Sequence, residues 1–378
     1  MIARTRLAGM ATALILMLAA AVPVQATAAE GAKADDVAKF LAGLEPAADS
    51  PLAPLARDAA WQQHARALDQ AWSTLDRQRL AKIRSWSAAH VADAKPVVLY
   101  MFSGPDFLYV DAFFPNRSVY VLSGLEPVGQ VPAITGTSRG HLWGALGGLR
   151  ASIGSVMNYS FFITQEMRHR LNSSTLRGVL PVLYLFLARA GKTVHEATLI
   201  GIDKDGAVVA AGTRDAAPGV KIVFSAGGDS PRQTLYYVQT DVSDHGVRRS
   251  GFLKFCEQLG VADGFIKSAS YLLHNDSFSA MRNFLLERTA TLIQDDSGIP
   301  VRFFKAGEWQ LRPFGRYLGP IPVFSGRYQT GLNDVFRRSK PPPLDFGVGY
   351  RWRPNESNLL VATRSPKQSL GPENAGQR

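Results

Sequence analysis

Polar residues that directly follow apolar, strand-like runs are the first candidates for a functional site. Ser103 and Asp106 stand in the turn after the run Val97–Phe102, and Glu126 follows the next such run. Glu126 lies 22 residues beyond Gly104, close to the roughly 20 residues at which dinucleotide-binding folds place a ribose-binding acid. The turn has one glycine where G-x-G-x-x-G has three, so its backbone cannot approach a pyrophosphate in the usual way. The pattern predicts a ligand crevice at the carboxyl ends of the strands, with Ser103, Asp106 and Glu126 as binding residues, and a purely structural βαβ unit is the simpler alternative.

A second pattern, Gly136-Thr137-Ser138-Arg139-Gly140, fits the G-x-S-x-G nucleophile elbow of serine hydrolases. Acids and histidines follow in the chain order that such a hydrolase needs, at Asp241, Asp244, His245 and His274. An elbow also needs a firm strand that leads straight into the turn, whereas the residues before this one include Pro127 and Pro132. A hydrolase with Ser138 as nucleophile and His245 as base is therefore kept as an alternative hypothesis.

The densest group of potentially catalytic side chains follows the predicted strand Thr234–Gln239. It consists of Asp241, Asp244, His245, Arg248 and Arg249. His245 with Asp241 or Asp244 has the residue types of a general base and the acid that orients it. The same residues also suit a solvated turn, so both interpretations stay open.

Two adjacent carboxylates, Asp295 and Asp296, follow a predicted helix over Phe278–Ile293. At the end of a helix they would face the negative end of the macrodipole, at a cost of about 0.3–1 kcal/mol each when exposed. Compensation is expected from a turn in which they bond to the backbone, from Arg302, or from a bound ligand or metal. We include Asp295 and Asp296 among the candidate ligand-binding residues.

The elements that must position these residues predict an α/β fold, a single Rossmann-like domain with a mixed, partly antiparallel sheet. Val97–Phe102 is an unbroken apolar run, typical of a strand buried on both faces. A short helix, Phe107–Phe114, leads to a second strand, Val119–Leu122, over a crossover near the minimum for a parallel pair. Two antiparallel pairs are predicted further on. They are Ala197–Ile202 with Ala207–Ala211, and Val220–Phe224 with Thr234–Gln239.

The chain divides into five predicted segments. They are a signal peptide (1–28), a helical N-terminal cover (29–95), the α/β core domain (96–310), a basic aromatic C-terminal segment (311–364) and a disordered tail (365–378). The signal peptide is indicated by Arg4 and Arg6, the apolar run Leu7–Val22 and the small-residue site Ala26-Thr27-Ala28. In the cover, apolar residues that include Trp61 and Trp72 recur at helical spacing, which favours core packing over a ligand cage.

The leader predicts a periplasmic or secreted protein. No later stretch is long enough to span a bilayer, so no transmembrane segment is expected after signal removal. The single cysteine, Cys256, cannot form an intramolecular disulfide, so packing must stabilise the domain. Asp203–Gly206 begins like a calcium loop, but the twelfth position is Arg214 instead of glutamate. We therefore predict no metal site and no cofactor.

Positive charge is concentrated near the C-terminus. The chain carries a net charge of +11, and residues 301–378 hold 13 Lys or Arg against 5 Asp or Glu. Outside the cytoplasm such an excess favours an anionic envelope surface over nucleic acid as a partner. A merely solvated basic face is the simpler alternative.

Two pieces of the sequence together resemble a known group of proteins. The pieces are SGPDFLYVDAFFP…YVLSGLEPVG and ASYLLHNDSF…LIQDDSGIPVRFF, and they are similar to a family of exported bacterial α/β proteins with no assigned activity. The resemblance covers most of Pro96 to Arg353. It implies that these segments belong to one domain, and it implies nothing about mechanism.

Three functions compete on these observations. The first is an exported binding protein with a small-molecule ligand in the crevice at the carboxyl ends of the strands. The second is a secreted enzyme, either the serine hydrolase or a degenerate Rossmann-like transferase, although nucleotide cofactors are scarce outside the cytoplasm. The third is an envelope-associated structural protein that acts through its basic C-terminal segment.

Overall fold

The computed structural model describes residues 32–91, 94–162, 176–227 and 230–365. The predicted signal peptide lies outside the described residues, as do residues 366–378 of the predicted tail. Among the helices that are described, none combines the length and the hydropathy needed to cross a membrane.

Ten strands of the described chain form one mixed sheet. They are β1 (Val97–Tyr100), β2 (Val119–Gly124), β3 (Thr193–Ile202), β4 (Val208–Ala210), β5 (Ala217–Ser225), β6 (Gln233–Gln239), β7 (Ala262–Ile266), β8 (Thr289–Gln294), β9 (Trp309–Gly315) and β10 (Asn358–Arg364). Their order across the sheet is β4-β3-β5-β6-β2-β1-β7-β8-β10-β9. Strands β6, β2, β1, β7 and β8 are parallel, and the strands on both flanks are antiparallel. The predicted α/β class with a mixed sheet is confirmed.

The helices pack on both faces of this sheet. They are α1 (Ala34–Leu41), α2 (Ala53–Ala56), α3 (Ala59–Leu75), α4 (Ala81–His90), α5 (Phe107–Phe113), α6 (Arg139–Tyr159), α7 (Leu180–Arg189), α8 (Asp244–Arg249), α9 (Phe252–Gln258), α10 (Ser279–Arg288) and α11 (Thr330–Ser339). Separate apolar clusters lie on the two faces, and each receives alternate side chains of the central strands. Tyr100 and Val98 of β1 join one cluster, whereas Val97 and Leu99 join the other, as the strand period of two requires.

The unit β1–α5–β2 has the predicted form. Leu99 pairs with Val121 in a parallel register, and all four residues of β1 are buried. Strand β1 lies between β2 on one side and β7 on the other. The chain therefore adds strands on one side of β1 first and on its other side afterwards. In open α/β sheets the connections that follow the two strands at such a reversal, here β1 and β7, run in opposite directions and leave a crevice between them.

The predicted antiparallel pairs are also present. Strands β3 and β4 form the hairpin around Asp203–Gly206, and β5 pairs with β6. At the other flank, β9 crosses the boundary predicted between residues 310 and 311, and β10 pairs with both β8 and β9. Both strands of the C-terminal part thus belong to the same sheet as the core.

In the N-terminal helices Trp61 is buried, and Trp72 and Trp86 are half-buried against the same apolar cluster. The indole Nε1 of Trp61 donates to the carbonyl oxygen of Phe40 at 3.0 Å, and the two rings stack with centroids 5.5 Å apart. Trp61 is 1% exposed. Helix α1 contacts α7 and helix α3 contacts α6, so Trp61 serves packing.

One predicted helix is wrong over its last five residues. The predicted helix Phe278–Ile293 is helix α10 only as far as Arg288, and Thr289–Gln294 is the buried strand β8. Thr289, Thr291 and Ile293 are β-branched residues that fit the sheet between β7 and β10 better than a helix. Asp295 and Asp296 therefore follow a strand, and the expected conflict with a helix macrodipole does not arise.

Candidate functional site

A cavity of about 170 Å³ lies at the carboxyl-terminal edge of the sheet. Residues after four parallel strands line it: Met101, Phe102 and Gly104 after β1, Ser123 to Glu126 at the end of β2, Thr240 to Val242 after β6, and Ser268 to Ser270 and Leu272 after β7, with Phe278 beside them. Open α/β sheets bind ligands at this edge, where the strand order reverses. We call this space the switch-point cavity.

The turn after β1 is fixed by hydrogen bonds to the end of β2. The Ser103 hydroxyl donates to the carbonyl oxygen of Ser123 at 3.2 Å, and its oxygen accepts from the Ser123 amide at 3.2 Å. The Ser123 hydroxyl in turn donates to the Met101 carbonyl at 2.8 Å. Ser103 is buried, so this predicted binding residue holds the wall of the cavity.

Asp106 begins helix α5 and is the centre of a buried polar cluster. Its Oδ1 accepts from the Tyr109 amide at 3.3 Å, and its Oδ2 accepts from the Tyr100 hydroxyl at 3.0 Å. The same oxygen lies 2.9 Å from Nζ of Lys267, and both side chains are 2% exposed. A carboxylate already occupies the helix N-terminus at which dinucleotide-binding folds hold a pyrophosphate. This turn is therefore unsuited to phosphate.

Lys267 is a buried cation that the sequence interpretation did not single out. Its ammonium group also donates to the Ser160 carbonyl and lies 4.1 Å from the ring centroid of Tyr109. Burial lowers the pKa of Lys267, and the charge of Asp106 opposes that shift. The one sequence signal was a lysine directly after the apolar strand residues Phe265 and Ile266.

The loop that follows Lys267 has an unusual backbone. Ser268, Ser270 and Tyr271 have positive φ angles of 52°, 50° and 55°. Non-glycine residues occupy this left-handed region at a cost of roughly 1–2 kcal/mol each. Strain of this kind persists only where the surrounding structure fixes it, and it is concentrated at functional sites.

Asp295 supplies part of that fixation. Its Oδ2 accepts from the Ser268 amide at 2.9 Å, and its Oδ1 accepts from the amide and hydroxyl of Ser297 at 2.9 and 2.5 Å. The Ser297 hydroxyl oxygen accepts from the Ala269 amide at 2.7 Å. Burial, and then the charge of Asp296, raise the pKa of Asp295 to about 6.

Asp296 and Tyr350 hold the other end of the loop. Asp296 Oδ2 accepts from the Tyr271 hydroxyl at 2.6 Å, and its Oδ1 accepts from Asn358 at 3.2 Å. Burial raises the pKa of Asp296. The Tyr350 oxygen accepts from the Ser270 amide at 3.2 Å and its hydroxyl donates to the Ser268 carbonyl at 3.0 Å. The two adjacent carboxyls are thus positioning groups behind the cavity wall, which agrees with the backbone-bonding turn that the sequence analysis allowed.

Two predicted residues line the cavity itself. Glu126 is buried, and its carbonyl oxygen and Oε2 lie 2.8 and 3.4 Å from the Tyr237 hydroxyl. Asp241 is exposed and accepts from the amide and the hydroxyl of Ser243 at 2.8 Å each. A methyl group on Gly124 would come within 2.3 Å of Glu126 Oε2, so glycine at this position leaves room for the carboxylate.

Three residues predicted for a serine hydrolase, Ser138, Asp244 and His245, form hydrogen bonds with residues outside the predicted catalytic set. Ser138 is exposed at the N-cap of α6, and its Oγ lies 3.1 Å from Nδ1 of His141. His245 Nε2 lies 3.2 Å from Arg249, one turn along α8. Asp244 accepts from the hydroxyl of Ser279 at 2.6 Å and from the Ala280 amide at 2.8 Å. No strand precedes Ser138 between residues 125 and 138, so the turn lacks the support of a nucleophile elbow.

Metal ligands are not grouped in the described ranges, where no three His, Cys, Asp or Glu side chains come together in a suitable cluster. No family model matches the chain, and no curated protein and no solved structure matches it. Function is therefore inferred from the geometry of the site.

Proposed function

We propose that this protein is an exported binding protein that holds a small polar ligand in the switch-point cavity of a Rossmann-like sheet. In chain order, the five parallel strands lie third, second, first, fourth and fifth across the sheet. Rossmann-like sheets have this order and bind their ligands where it reverses. The observation that carries the proposal is that the cavity lies at this reversal, with polar groups from four strand ends around it.

The size and charge of the cavity limit the ligand. Its volume of about 170 Å³ is below the roughly 300–1,000 Å³ of sites for drug-sized molecules. The acidic residues Glu126 and Asp241 line it, and Asp106 occupies the adjoining helix N-terminus. We therefore propose a small ligand that presents hydroxyl or ammonium groups and no phosphate.

The loop with positive φ angles at Ser268, Ser270 and Tyr271 supports this proposal because its backbone conformation costs free energy. Asp295, Ser297 and Tyr350 fix the amides of Ser268, Ala269 and Ser270, and these three residues line the cavity. The Ser268 hydroxyl is buried and has no hydrogen-bond partner in the described part of the chain. A ligand atom in the cavity would supply that partner.

A ligand panel tests the proposal. Calorimetric titration with small polyols, primary amines and nucleosides, each beside its phosphorylated counterpart, should reveal binding by an unphosphorylated member. Glu126→Gln should weaken that binding about tenfold or more, because a charge-assisted hydrogen bond is lost. Glu257→Gln, which alters an exposed glutamate paired with Arg288, is the matched control. Binding by none of the unphosphorylated compounds, or equal binding of them by the Glu126→Gln and wild-type proteins, would exclude this site.

Export is part of the proposal and rests on the leader sequence. Fractionation of cells that express the full chain should recover a shortened protein outside the cytoplasm. A full-length protein that stays in the cytoplasm would leave the ligand site unaffected but would remove the proposed periplasmic or secreted location.

A second candidate function, association with an anionic envelope surface, is favoured by one observation. Leu318, Val323 and Tyr328 are exposed large apolar side chains, and Val323 is 76% exposed. They lie within residues 311–340, which hold six Lys or Arg and one Asp. Apolar side chains among cations suit a surface of anionic lipid. Val323→Ser with Tyr328→Ser should reduce flotation with anionic vesicles, and unchanged flotation would remove this candidate.

A further inference from the structure

A second cavity, of about 270 Å³, shares no lining residue with the switch-point cavity. Its lining includes the side chains of His274, Arg302 and Arg327, which come from three separate elements, and residues Gln329 to Leu332. We call it the arginine cavity. Of its lining residues, only Tyr328 also belongs to the exposed apolar group described above.

The two arginines are positive charges without a counter-ion. In the described part of the chain neither Arg302 nor Arg327 forms an ion pair with a carboxylate, although fourteen ion pairs are present there. The guanidinium carbon of Arg302 lies 4.7 Å from the centroid of the Phe303 ring, and the side chain is exposed. Guanidinium groups bind phosphate through paired N–H donors.

The histidine reports the same positive potential. Burial, and then the charges of Arg302 and Arg327, lower the pKa of His274 to about 4, against the opposing effect of the backbone carbonyls of Asp296 and Gly298. Nε2 of His274 is buried and has no hydrogen-bond partner within the described residues. A neutral imidazole, whose Nε2 has no hydrogen-bond partner among the described residues, therefore lines the same cavity as two guanidinium groups.

The start of helix α11 adds backbone donors to the same cavity. Gln329 stands at the N-cap, but its side chain does not cap the helix. Its Nε2 donates instead to the Asp296 carbonyl at 2.9 Å, and its Oε1 accepts from the Val301 amide at 3.3 Å. The first-turn residues Thr330, Gly331 and Leu332 line the cavity, and amides at this position favour an anion.

No aspartate or glutamate of the described chain is among the residues that line this cavity. Asp296 is buried, and its two carboxyl oxygens accept from Tyr271 and Asn358. Its carbonyl oxygen accepts from Gln329. The negative group is thus engaged behind the cavity wall, and the lining that faces the cavity is cationic.

We propose that the arginine cavity binds a phosphate group, held by Arg302 and Arg327 and by the amides at the start of α11. This is a site of opposite charge preference to the switch-point cavity, so one molecule would hold a phosphate and an unphosphorylated ligand at separate places. The phosphate can belong to a free phosphate or to a lipid headgroup, since the chemistry recognised is the same.

Calorimetric titration of the full mature chain with inorganic phosphate and with glycerol phosphate tests the site. Binding at millimolar concentration or tighter is expected, and Arg302→Gln with Arg327→Gln should weaken it about tenfold or more. The matched control is Arg316→Gln with Arg338→Gln, which removes the same charge from exposed arginines outside the cavity lining. Circular dichroism checks that both variants are folded.

Vesicle flotation then separates the two sources of phosphate. The site is assigned to a lipid headgroup if Arg302→Gln with Arg327→Gln weakens glycerol phosphate binding and flotation with phosphatidylglycerol vesicles equally, and if the protein does not float with phosphatidylcholine vesicles. Loss of soluble phosphate binding alone would assign it to a free phosphate. No phosphate binding by the wild-type protein, or equal weakening by the cavity and control variants, would overturn the proposal.

Discussion

The two cavities treat charge in opposite ways. Behind the switch-point cavity, Lys267, Asp106 and Asp295 are buried and bonded to the protein. Around the arginine cavity, Arg302 and Arg327 are exposed and lack a carboxylate partner among the described residues. Buried charges need partners inside the protein, whereas exposed cations retain their donors for a ligand. The buried charged side chains near the strand ends therefore hold the walls of the switch-point cavity and do not contact its ligand. The exposed arginines of the other cavity are the groups that contact a ligand directly.

The largest expected effect is on the buried ion pair. Lys267→Met should reduce the free energy of unfolding by about 3–5 kcal/mol, because Asp106 would keep a buried charge without its cation. The exposed pair Lys254–Asp205 has nearly the same separation, 3.0 Å against 2.9 Å. Lys254→Met should cost less than about 1 kcal/mol. Urea denaturation measures both, and similar losses would mean that burial does not decide the role of these charges.

A smaller, pH-dependent effect is expected from another buried carboxyl. Asp263 in β7 is fully buried and accepts from the Lys95 amide at 2.7 Å. Burial raises its pKa from 3.8 to about 6. The folded state then binds the proton more tightly than the unfolded chain, so the free energy of unfolding should fall as pH rises from 3.8 to about 6.

Asp263→Asn should remove that loss. We expect the variant to be more stable than the wild type at pH 8 by about 1–3 kcal/mol, since each pKa unit corresponds to about 1.4 kcal/mol. At pH 3, where the carboxyl is protonated in both states, the gain should vanish. Asp205→Asn at an exposed position is the control. Denaturation at both pH values checks this, and a gain independent of pH would contradict the linkage.

The strained loop predicts a trade between stability and binding. Ser268→Gly should leave the protein as stable or raise its free energy of unfolding by up to about 1 kcal/mol, because glycine accepts a positive φ and no hydrogen bond of the hydroxyl is lost. The same change should weaken the ligand of the switch-point cavity. Thermal denaturation and titration measure the two effects. A destabilised protein with intact binding would show that the loop conformation serves folding alone.

The smallest expected effect concerns the arginine cavity. Arg302→Gln with Arg327→Gln should change the free energy of unfolding by no more than about 0.5 kcal/mol, because exposed side chains without ion-pair partners contribute little to stability. A loss of several kcal/mol would show that these arginines stabilise the fold, and the contrast between the two cavities would disappear.

Local pattern was sufficient to predict the central unit and the antiparallel pairs. The unbroken run Val97–Phe102 predicts a buried strand, and the glycine-bearing turn at Asp203–Gly206 predicts a hairpin. Each pattern lies within a few consecutive residues. The boundary at Arg288 was missed because Leu292 continues the helical spacing of Met281 and Leu285 into the β-branched strand. Only pairing with β7 and β10 decides in favour of the sheet.

The candidate site was predictable in place and only partly in role. Glu126 and Asp241 line the cavity, because carboxyl ends of parallel strands meet at one edge. Ser103, Asp106, Asp295 and Asp296 instead bond to backbone and side chains behind it. Lys267 is 161 residues from its partner Asp106, and Ser268 is 27 residues from its partner Asp295; no local pattern reveals contacts over such distances.

The central claim is that the reversal point of the sheet holds a small polar ligand. A crystal structure of the protein after soaking with unphosphorylated fragments that carry hydroxyl or ammonium groups tests it most directly. We expect a fragment between Gly104, Glu126 and Ser268, with a polar atom within hydrogen-bond distance of the Ser268 hydroxyl. Fragments found only at other places, with the cavity unchanged, would contradict it.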